Sequence, residues 1–292
     1  MIVARMPIFS SYDHVDIWYE SAGAGDPLVV LGGGPGTDSR YLGDLGGLDK
    51  HHRLIFMDGR ATGRSEVPAD RSTVSFVAQA RDVEELRLHL GLERFDLLAH
   101  SAGCLTAQEY LAAHPGRVRR AVLVTPVGRV DREPDPAELA ALRAARSAEP
   151  WYEKAVEADR RLAEGTVTGP ELAVLQAWTL PFSWYRWSRD RLAEYRHGHA
   201  TSLPWLRDAY YAGAPGPGEL TDRLARLSAG TTPVLVLAGA ADGLIGTVPA
   251  RRVAECHTDG RLEVLTESGH RPWVEEPERF VAAVTAFLTA DR

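Results

Sequence analysis

At 292 residues, with 45% hydrophobic and 25% charged residues, the chain is long enough for one large core with room for an insertion. A net charge of −7 argues against nucleic acid or an anionic membrane as the main partner, and no apolar run approaches membrane-spanning length. Of 33 basic residues only Lys50 and Lys154 are lysine, and the arginines form no block, which reads as genomic GC bias and not as a phosphate-binding surface.

Met1–Ser10 lacks the charged-then-apolar pattern of a signal peptide, so a cytoplasmic location is expected. Val3 to Tyr19 alternates apolar and polar residues, the pattern of an antiparallel hairpin. Leu28–Leu31 reads as a buried strand running into a glycine loop, 32–36, and Arg53–Met57 as a strand followed by the polar loop Asp58–Ser65, where Asp58 and Arg60 read as a stabilising pair. Phe76, Val77, Ala80, Val83, Leu86 and Leu90 mark one face of a helix over Ser75–Leu90. A strand over Phe95–Ala99, a helix over Cys104–Ala113 and a strand over Arg120–Val124 follow. Strands alternating with helices predict an α/β fold, a mostly parallel, doubly wound sheet covered on both faces. The alternation stops near Val127. From Gly128 to Asp222 the pattern is helical and aromatic-rich, with helices expected over Ala137–Arg146, Trp151–Glu164 and Glu171–Trp178. Strands resume at Pro233–Gly239 and Arg261–Thr266, before a final helix. The expected organisation is a core of residues 1–127 and 223–292 with a helical cap, 128–222. The two cysteines, Cys104 and Cys256, have no metal-ligand spacing and read as reduced thiols.

Ala99-His100-Ser101-Ala102-Gly103 sits between a buried strand and a helix, with small residues two positions either side of the serine, the layout of a nucleophile elbow. A side chain larger than methyl at 99 or 103 is expected to collide with the adjoining strand or helix. A serine hydroxyl needs a base, and the base an orienting carboxylate, in the chain order Ser, Asp, His for this setting. Asp242 follows the strand ending at Gly239, and His270 follows the strand ending at Thr266. Strand C-terminal ends are where open α/β sheets put their sites. Each residue also has a plainer reading: Ser101 as a small turn residue, Asp242 as a turn former before Gly243, His270 as a loop histidine capping the last helix. His100 reads as structural, because neighbours at a sharp turn point apart.

Gly32-Gly33-Gly34-Pro35-Gly36 resembles the His-Gly-Gly-Pro-Gly loop of the prolyl aminopeptidase (proline iminopeptidase) branch of the α/β-hydrolases. Asp58-Gly-Arg-Ala-Thr-Gly63-Arg64-Ser65 is similar to that branch's Asp-Gln-Arg-Gly-x-Gly-x-Ser loop. The resemblance covers most of residues 10–127 and 219–292 and fades in the cap. It implies an α/β-hydrolase fold with Ser101 as nucleophile, His270 as general base and Asp242 as its orienter. It also implies an oxyanion hole from the amide of Ala102 and that of Gly33 or Gly34, and no cofactor or metal. The implied substrate is an N-terminal aminoacyl amide, small-molecule or peptide-like.

The departures bear on the substrate. The first loop residue is Gly32 in place of His, and the elbow is Ala-His-Ser-Ala-Gly where the branch has Gly-Gly-Ser-Trp-Gly. Family peptidases hold the substrate amine with cap glutamates; here Trp178-Thr-Leu-Pro-Phe182 carries no carboxylate, and Glu194 is the remaining candidate. An apolar pocket lined by Trp178, Phe182, Trp184 and Tyr185 is expected instead, although these aromatics also read as helix packing and Glu194 as a solvated residue. A pocket of this kind suits removal of an aminoacyl group from a hydrophobic molecule, as in family members that deprotect intermediates of macrolactam polyketide biosynthesis. An ester or lactone hydrolase on the same scaffold is the alternative. A non-catalytic receptor with this fold is a third reading, against which the complete triad argues.

Overall fold

The computed structural model describes residues 7–127, 133–193, 195, 202–214, 216, 219, 222–223, 225–226 and 229–290. Its strands are β1 (Ile8–Ser10), β2 (Asp16–Ala22), β3 (Pro27–Leu31), β4 (Arg53–Met57), β5 (Phe95–His100), β6 (Val118–Val124), β7 (Val234–Gly239) and β8 (Gly260–Leu265). They form one sheet in the order β1-β2-β4-β3-β5-β6-β7-β8. The hairpin β1–β2 and the β2–β4 pair are antiparallel, and every pair from β4 to β8 is parallel. The expected hairpin is therefore also the antiparallel edge of the main sheet.

The apolar runs are continuous because both faces of the sheet are buried. Successive side chains point to opposite faces, so alternate residues of one strand serve different cores. Val29, Leu31, Leu97, Ala99, Leu123 and Val236 pack on one side with Val83 and Leu86 of α1 (Phe76–His89), Ala107 and Tyr110 of α2 (Gly103–Ala113), and Val253. Leu28, Val30, Leu98, Val122, Leu235 and Leu237 pack on the other with Leu42, Leu48, Trp273, Phe280 and Val284. The helix start signals are met locally. The Ser75 hydroxyl accepts from the Ala78 amide at 3.2 Å, and Asp135 accepts from the amides of Ala137 and Glu138.

Between β6 and β7 the described residues form α3 (Pro136–Ala144), α4 (Tyr152–Ala163), α5 (Gly169–Thr179), a 3-10 turn at Leu180–Ser183 and the short α6 (Leu206–Tyr211). After β7 come α7 (Val248–Glu255), α8 (Pro272–Glu275) and α9 (Pro277–Thr289). The expected single final helix is split at Glu276, whose φ of −129° and ψ of 60° are not helical. No helix among the described residues is long and apolar enough to cross a membrane.

The parallel register brings the C-terminal ends of β3, β5, β7 and β8 to one edge of the sheet, with β5 central. The loop after β4 closes beside them, with partners other than those expected. Asp58 does not pair with Arg60; its carboxylate accepts from Ser39 (amide 2.9 Å, hydroxyl 2.6 Å) and from the Arg64 Nε at 3.0 Å. Arg60 is fully buried and bidentate to Asp82 of α1, with Nε and Nη2 each 2.7 Å from a carboxylate oxygen. It also reaches Asp13 in the β1–β2 turn, at 2.5 and 2.8 Å. One guanidinium thus ties the hairpin to the first helix. Asp82→Ala strands that buried charge against a single, partly exposed carboxylate, and is expected to cost about 3 kcal/mol in urea unfolding.

Glu84 links α1 to α2, accepting from Arg87 Nη2 at 2.6 Å and from the Tyr110 hydroxyl at 2.7 Å. The Arg87 hydrogen bond leads in pushing its pKa down from the usual 4.5 to about 2. A depressed acid pKa means this contribution is present above 4.5 and is lost as pH falls through about 2. The stability difference between wild type and Glu84→Gln, followed by denaturant unfolding, is expected to shrink steadily as pH is lowered over that interval.

Candidate active site

Ser101 sits on the turn between β5 and α2 with φ of 52°, a left-handed conformation rare for a residue with a side chain. The turn is held by the Ser101 amide on the Val124 carbonyl at 2.9 Å and by the Cys104 amide on the Ser101 carbonyl at 3.1 Å. Position 103 tolerates less than expected: a Cβ on Gly103 would lie 2.4 Å from the Gly32 carbonyl oxygen, so even a methyl does not fit. Ala99 is fully buried beneath the turn.

Asp242 and His270 come to this serine from 141 and 169 residues away in sequence. Asp242 is buried; its Oδ1 accepts from the Leu244 amide at 3.0 Å and the Ile245 amide at 3.3 Å. Its Oδ2 lies 2.7 Å from His270 Nδ1, and His270 Nε2 lies 3.0 Å from Ser101 Oγ. A carboxylate only accepts, so Nδ1 carries the proton and Nε2 presents a lone pair to the serine hydroxyl. The His270 main chain is fixed as well. Its amide donates to the Ser183 carbonyl at 2.7 Å, and its carbonyl accepts from Thr125 Oγ1 and His100 Nε2, each at 3.0 Å.

The glycine loop presses on Ser101: a Cβ built on Gly33 would lie 2.8 Å from the Ser101 Cβ. The Gly33 N–H is engaged, donating to the Tyr41 hydroxyl at 2.6 Å. The amides of Gly34 and Ala102 have no acceptor among the described residues. Ala102 stands at the N-terminus of α2, where the aligned peptide dipoles favour negative charge. The Tyr210 hydroxyl of α6 steadies this end, donating to the Ala102 carbonyl at 2.8 Å.

His100, expected to be structural, is buried among Tyr41, Trp273 and the His270 ring. Burial, chiefly, holds its pKa well below the ordinary histidine value, so the ring is neutral.

The segment between β6 and β7 reaches both loops. The Phe182 carbonyl accepts from the Gly243 amide at 2.8 Å, next to the Ser183–His270 bond. A Cβ on Gly243 would sit 2.8 Å from the Phe182 carbonyl oxygen, and one on Gly269 would sit 2.3 Å from that of Ser183. Arg143 of α3 donates to the Gly243 carbonyl at 3.0 Å. Glu138, also on α3, accepts from the amides of Thr247 (3.0 Å) and Val248 (3.1 Å), capping α7 from outside its own chain segment. Glu275 accepts from the amides of Gly269, Tyr185 and Arg186 at 2.8, 3.1 and 2.8 Å.

Much of the aromatic run is packed against neighbouring rings and guanidinium groups. Phe182 and Trp184 are buried. Phe182 meets Trp151 and Tyr152 edge-on under the Arg143 guanidinium, and Trp184 lies against Arg191 and Arg271. Trp178 lies on the surface of α5 beneath Lys154, and half-buried Tyr185 carries Arg186 on its ring. Glu194 lies outside the described residues. Tyr41, Ser183, Glu138 and Glu275 were not anticipated from sequence. Tyr41 sits in a 3-10 turn, Ser39–Leu42, with no periodic signal, and the others bind backbone groups far away in the sequence.

Residues 26–277 match the family model described as alpha/beta hydrolase fold. A proline iminopeptidase of Heyndrickxia coagulans is 23% identical, with 93% of each chain covered. A Pseudomonas savastanoi protein bearing the name of a carbamate hydrolase is 27% identical over 90% of this chain and 94% of its own. Among solved structures, an esterase from Exiguobacterium antarcticum shares the fold with a TM-score of 0.71 at 21% identity, covering 97% of this chain and 99% of that one. With its mostly parallel sheet, its elbow after the central strand and this family match, the chain belongs to the alpha/beta hydrolase fold family and is a hydrolase.

Proposed function

We propose that the protein is a serine hydrolase acting through an acyl-enzyme, with Ser101, His270 and Asp242 as its catalytic residues. The observation that carries this reading is the continuous hydrogen-bond chain from Asp242 Oδ2 through the imidazole to Ser101 Oγ, at 2.7 and 3.0 Å. Ser101 Oγ attacks the substrate carbonyl carbon as its proton passes to His270 Nε2. The tetrahedral oxyanion accepts from the Ala102 and Gly34 amides, worth roughly 3 kcal/mol of barrier per donor in such sites. Collapse expels the leaving group, which takes the proton from Nε2. A water deprotonated by the same nitrogen then attacks the acyl carbon, and the acid leaves as the proton returns to Ser101.

The preferred substrate is an amide carrying an N-terminal amino acid, with a substantial apolar leaving part. The glycine-proline and Asp58–Ser65 loop motifs support it, as does the likeness to the Heyndrickxia coagulans proline iminopeptidase. A role in deprotecting a secondary metabolite is compatible with this chemistry. Residues 128–222 serve as the cap, and a cytoplasmic setting fits the chain. An ester or lactone hydrolase is the second reading. It is favoured by the surroundings of the base: Arg271 follows His270 and lies over the Tyr41 ring, and the Glu275 carboxylate is occupied by three amides, which leaves it poorly suited to hold a substrate ammonium.

An alanyl arylamide, its N-acetyl form and a simple aryl ester separate the two. Turnover of the free-amine arylamide at least about 10-fold above the acetylated one supports the aminoacyl reading, whereas ester cleavage indifferent to the amine supports the second. Ser101→Ala is expected to lower turnover of the cleaved substrate on the order of 10⁴-fold with an unchanged melting temperature.

Asp242→Asn gives a sharper check on the base. The Leu244 and Ile245 amides require an oxygen at the Oδ1 position, so the new NH₂ must face His270 Nδ1. Nδ1 then has to accept, the ring proton moves to Nε2, and the serine loses its base. A fall in kcat of about 10⁴-fold with little change in KM is expected from steady-state kinetics.

A further inference from the structure

The residue before the nucleophile belongs to a hydrogen-bond chain whose direction is fixed throughout. His100 Nε2 lies 3.0 Å from the His270 carbonyl oxygen, which only accepts, so Nε2 carries the proton. The ring is buried and neutral, which makes Nδ1 an acceptor. The Tyr41 hydroxyl, 2.7 Å away, therefore donates to Nδ1, and its oxygen receives the Gly33 N–H at 2.6 Å. The order is Gly33 N–H to Tyr41 O–H to His100 to the His270 carbonyl. The rings are packed as well: Tyr41 and Trp273 both flank His100, with centroids at 5.6 and 4.8 Å.

We propose that Tyr41 and His100 are positioning residues that lock the glycine loop to the loop of the base, so that the Gly33 amide is turned away from the substrate and the Gly34 amide is the one offered to it. This inference rests on the reading of Ser101 as nucleophile and His270 as base. It deepens that reading by naming what fixes the oxyanion loop. Ser101 is held by its own turn and Asp242 by two amides, whereas the short loop 32–36 is glycine-rich and depends on the Tyr41 hydroxyl for Gly33. Neither Tyr41 nor His100 exchanges a proton with the substrate. They act by keeping the donor geometry ready before the oxyanion forms.

Tyr41→Phe tests this, since the ring keeps its packing and only the hydroxyl is lost. An aryl phosphonate first establishes labelling of Ser101 in wild type. The variant is then compared using an aryl ester and its thionoester, whose larger, softer sulfur is poorly held by an oxyanion hole. We expect kcat on the ester to fall about 10-fold or more, KM to stay within about 2-fold, and the ester-to-thionoester rate ratio to narrow, with a nearly unchanged melting temperature. Labelled wild type together with an unchanged kcat and ratio in Tyr41→Phe overturns this inference alone; wild type left unlabelled at Ser101 overturns the nucleophile assignment and this inference with it. Nitrogen-15 NMR of histidine-labelled wild type provides a check that needs no variant to fold. A His100 ring protonated on Nε2, with Nδ1 shifted as a hydrogen-bond acceptor, supports the chain, and protonation on Nδ1 overturns it.

Discussion

The bond between Asp242 and His270 sets the direction of the hydrogen bonds that matter at this site. Because the carboxylate cannot donate, the imidazole has one allowed tautomer, and its remaining nitrogen can only accept from Ser101. The same logic runs through the neighbouring ring, where a main-chain carbonyl fixes the proton of His100 and, beyond it, that of Tyr41. Two histidines meeting at a centroid distance of 4.9 Å are thereby given opposite duties: one presents a lone pair to the Ser101 hydroxyl, the other a proton to the backbone that carries the first.

The sheet supplies the meeting point, and the helical segment supplies its stiffness. Parallel strands end at one edge, but a loop leaving a strand end is free to sway unless something holds it. Here the turn Leu180–Ser183 binds the backbone of both the Asp242 loop and the His270 loop, at Gly243 and at His270 itself. Both neighbouring glycines exist for the closeness of that contact, since a methyl at either would strike a carbonyl oxygen. Glu138 and Glu275 add carboxylates that gather backbone amides from facing segments. Each such cluster replaces water around polar groups at a loop junction, where unsatisfied amides would otherwise be costly.

Much of this was legible in the sequence, for physical reasons. Buried parallel strands leave uninterrupted apolar runs, so Leu28–Leu31, Arg53–Met57 and Pro233–Gly239 fell within a residue or two of β3, β4 and β7. The meeting of Ser101, Asp242 and His270 was legible from those residue types standing after strand ends in a set order, and the three do share one hydrogen-bond chain. Gly33 and Gly34 could not be told apart, because they differ in which amide Tyr41 engages, and a tyrosine in a 3-10 turn has no periodic signature. The aromatic residues 178–185 were legible only in part: composition cannot tell a ring that lines a cavity from one packed on its neighbours, and Phe182 and Trp184 are both buried against such neighbours. The Asp58–Arg60 pairing failed similarly, since adjacency along the chain said nothing of the buried Asp82 waiting on α1.

Glu138 caps a helix that begins 110 residues later. On the ribosome, the segment bearing that glutamate and Ser183 leaves the exit tunnel long before Val248 or His270 has been made. Its polar groups must stay hydrated in the interval, and α7, which takes no side-chain cap from its own Thr247, gains one only when the two segments dock. The segment between β6 and β7 and the chain from Val248 to His270 are thus bound to finish folding together, and a nascent chain has no completed cluster of Ser101, Asp242 and His270 until residue 270 has been made.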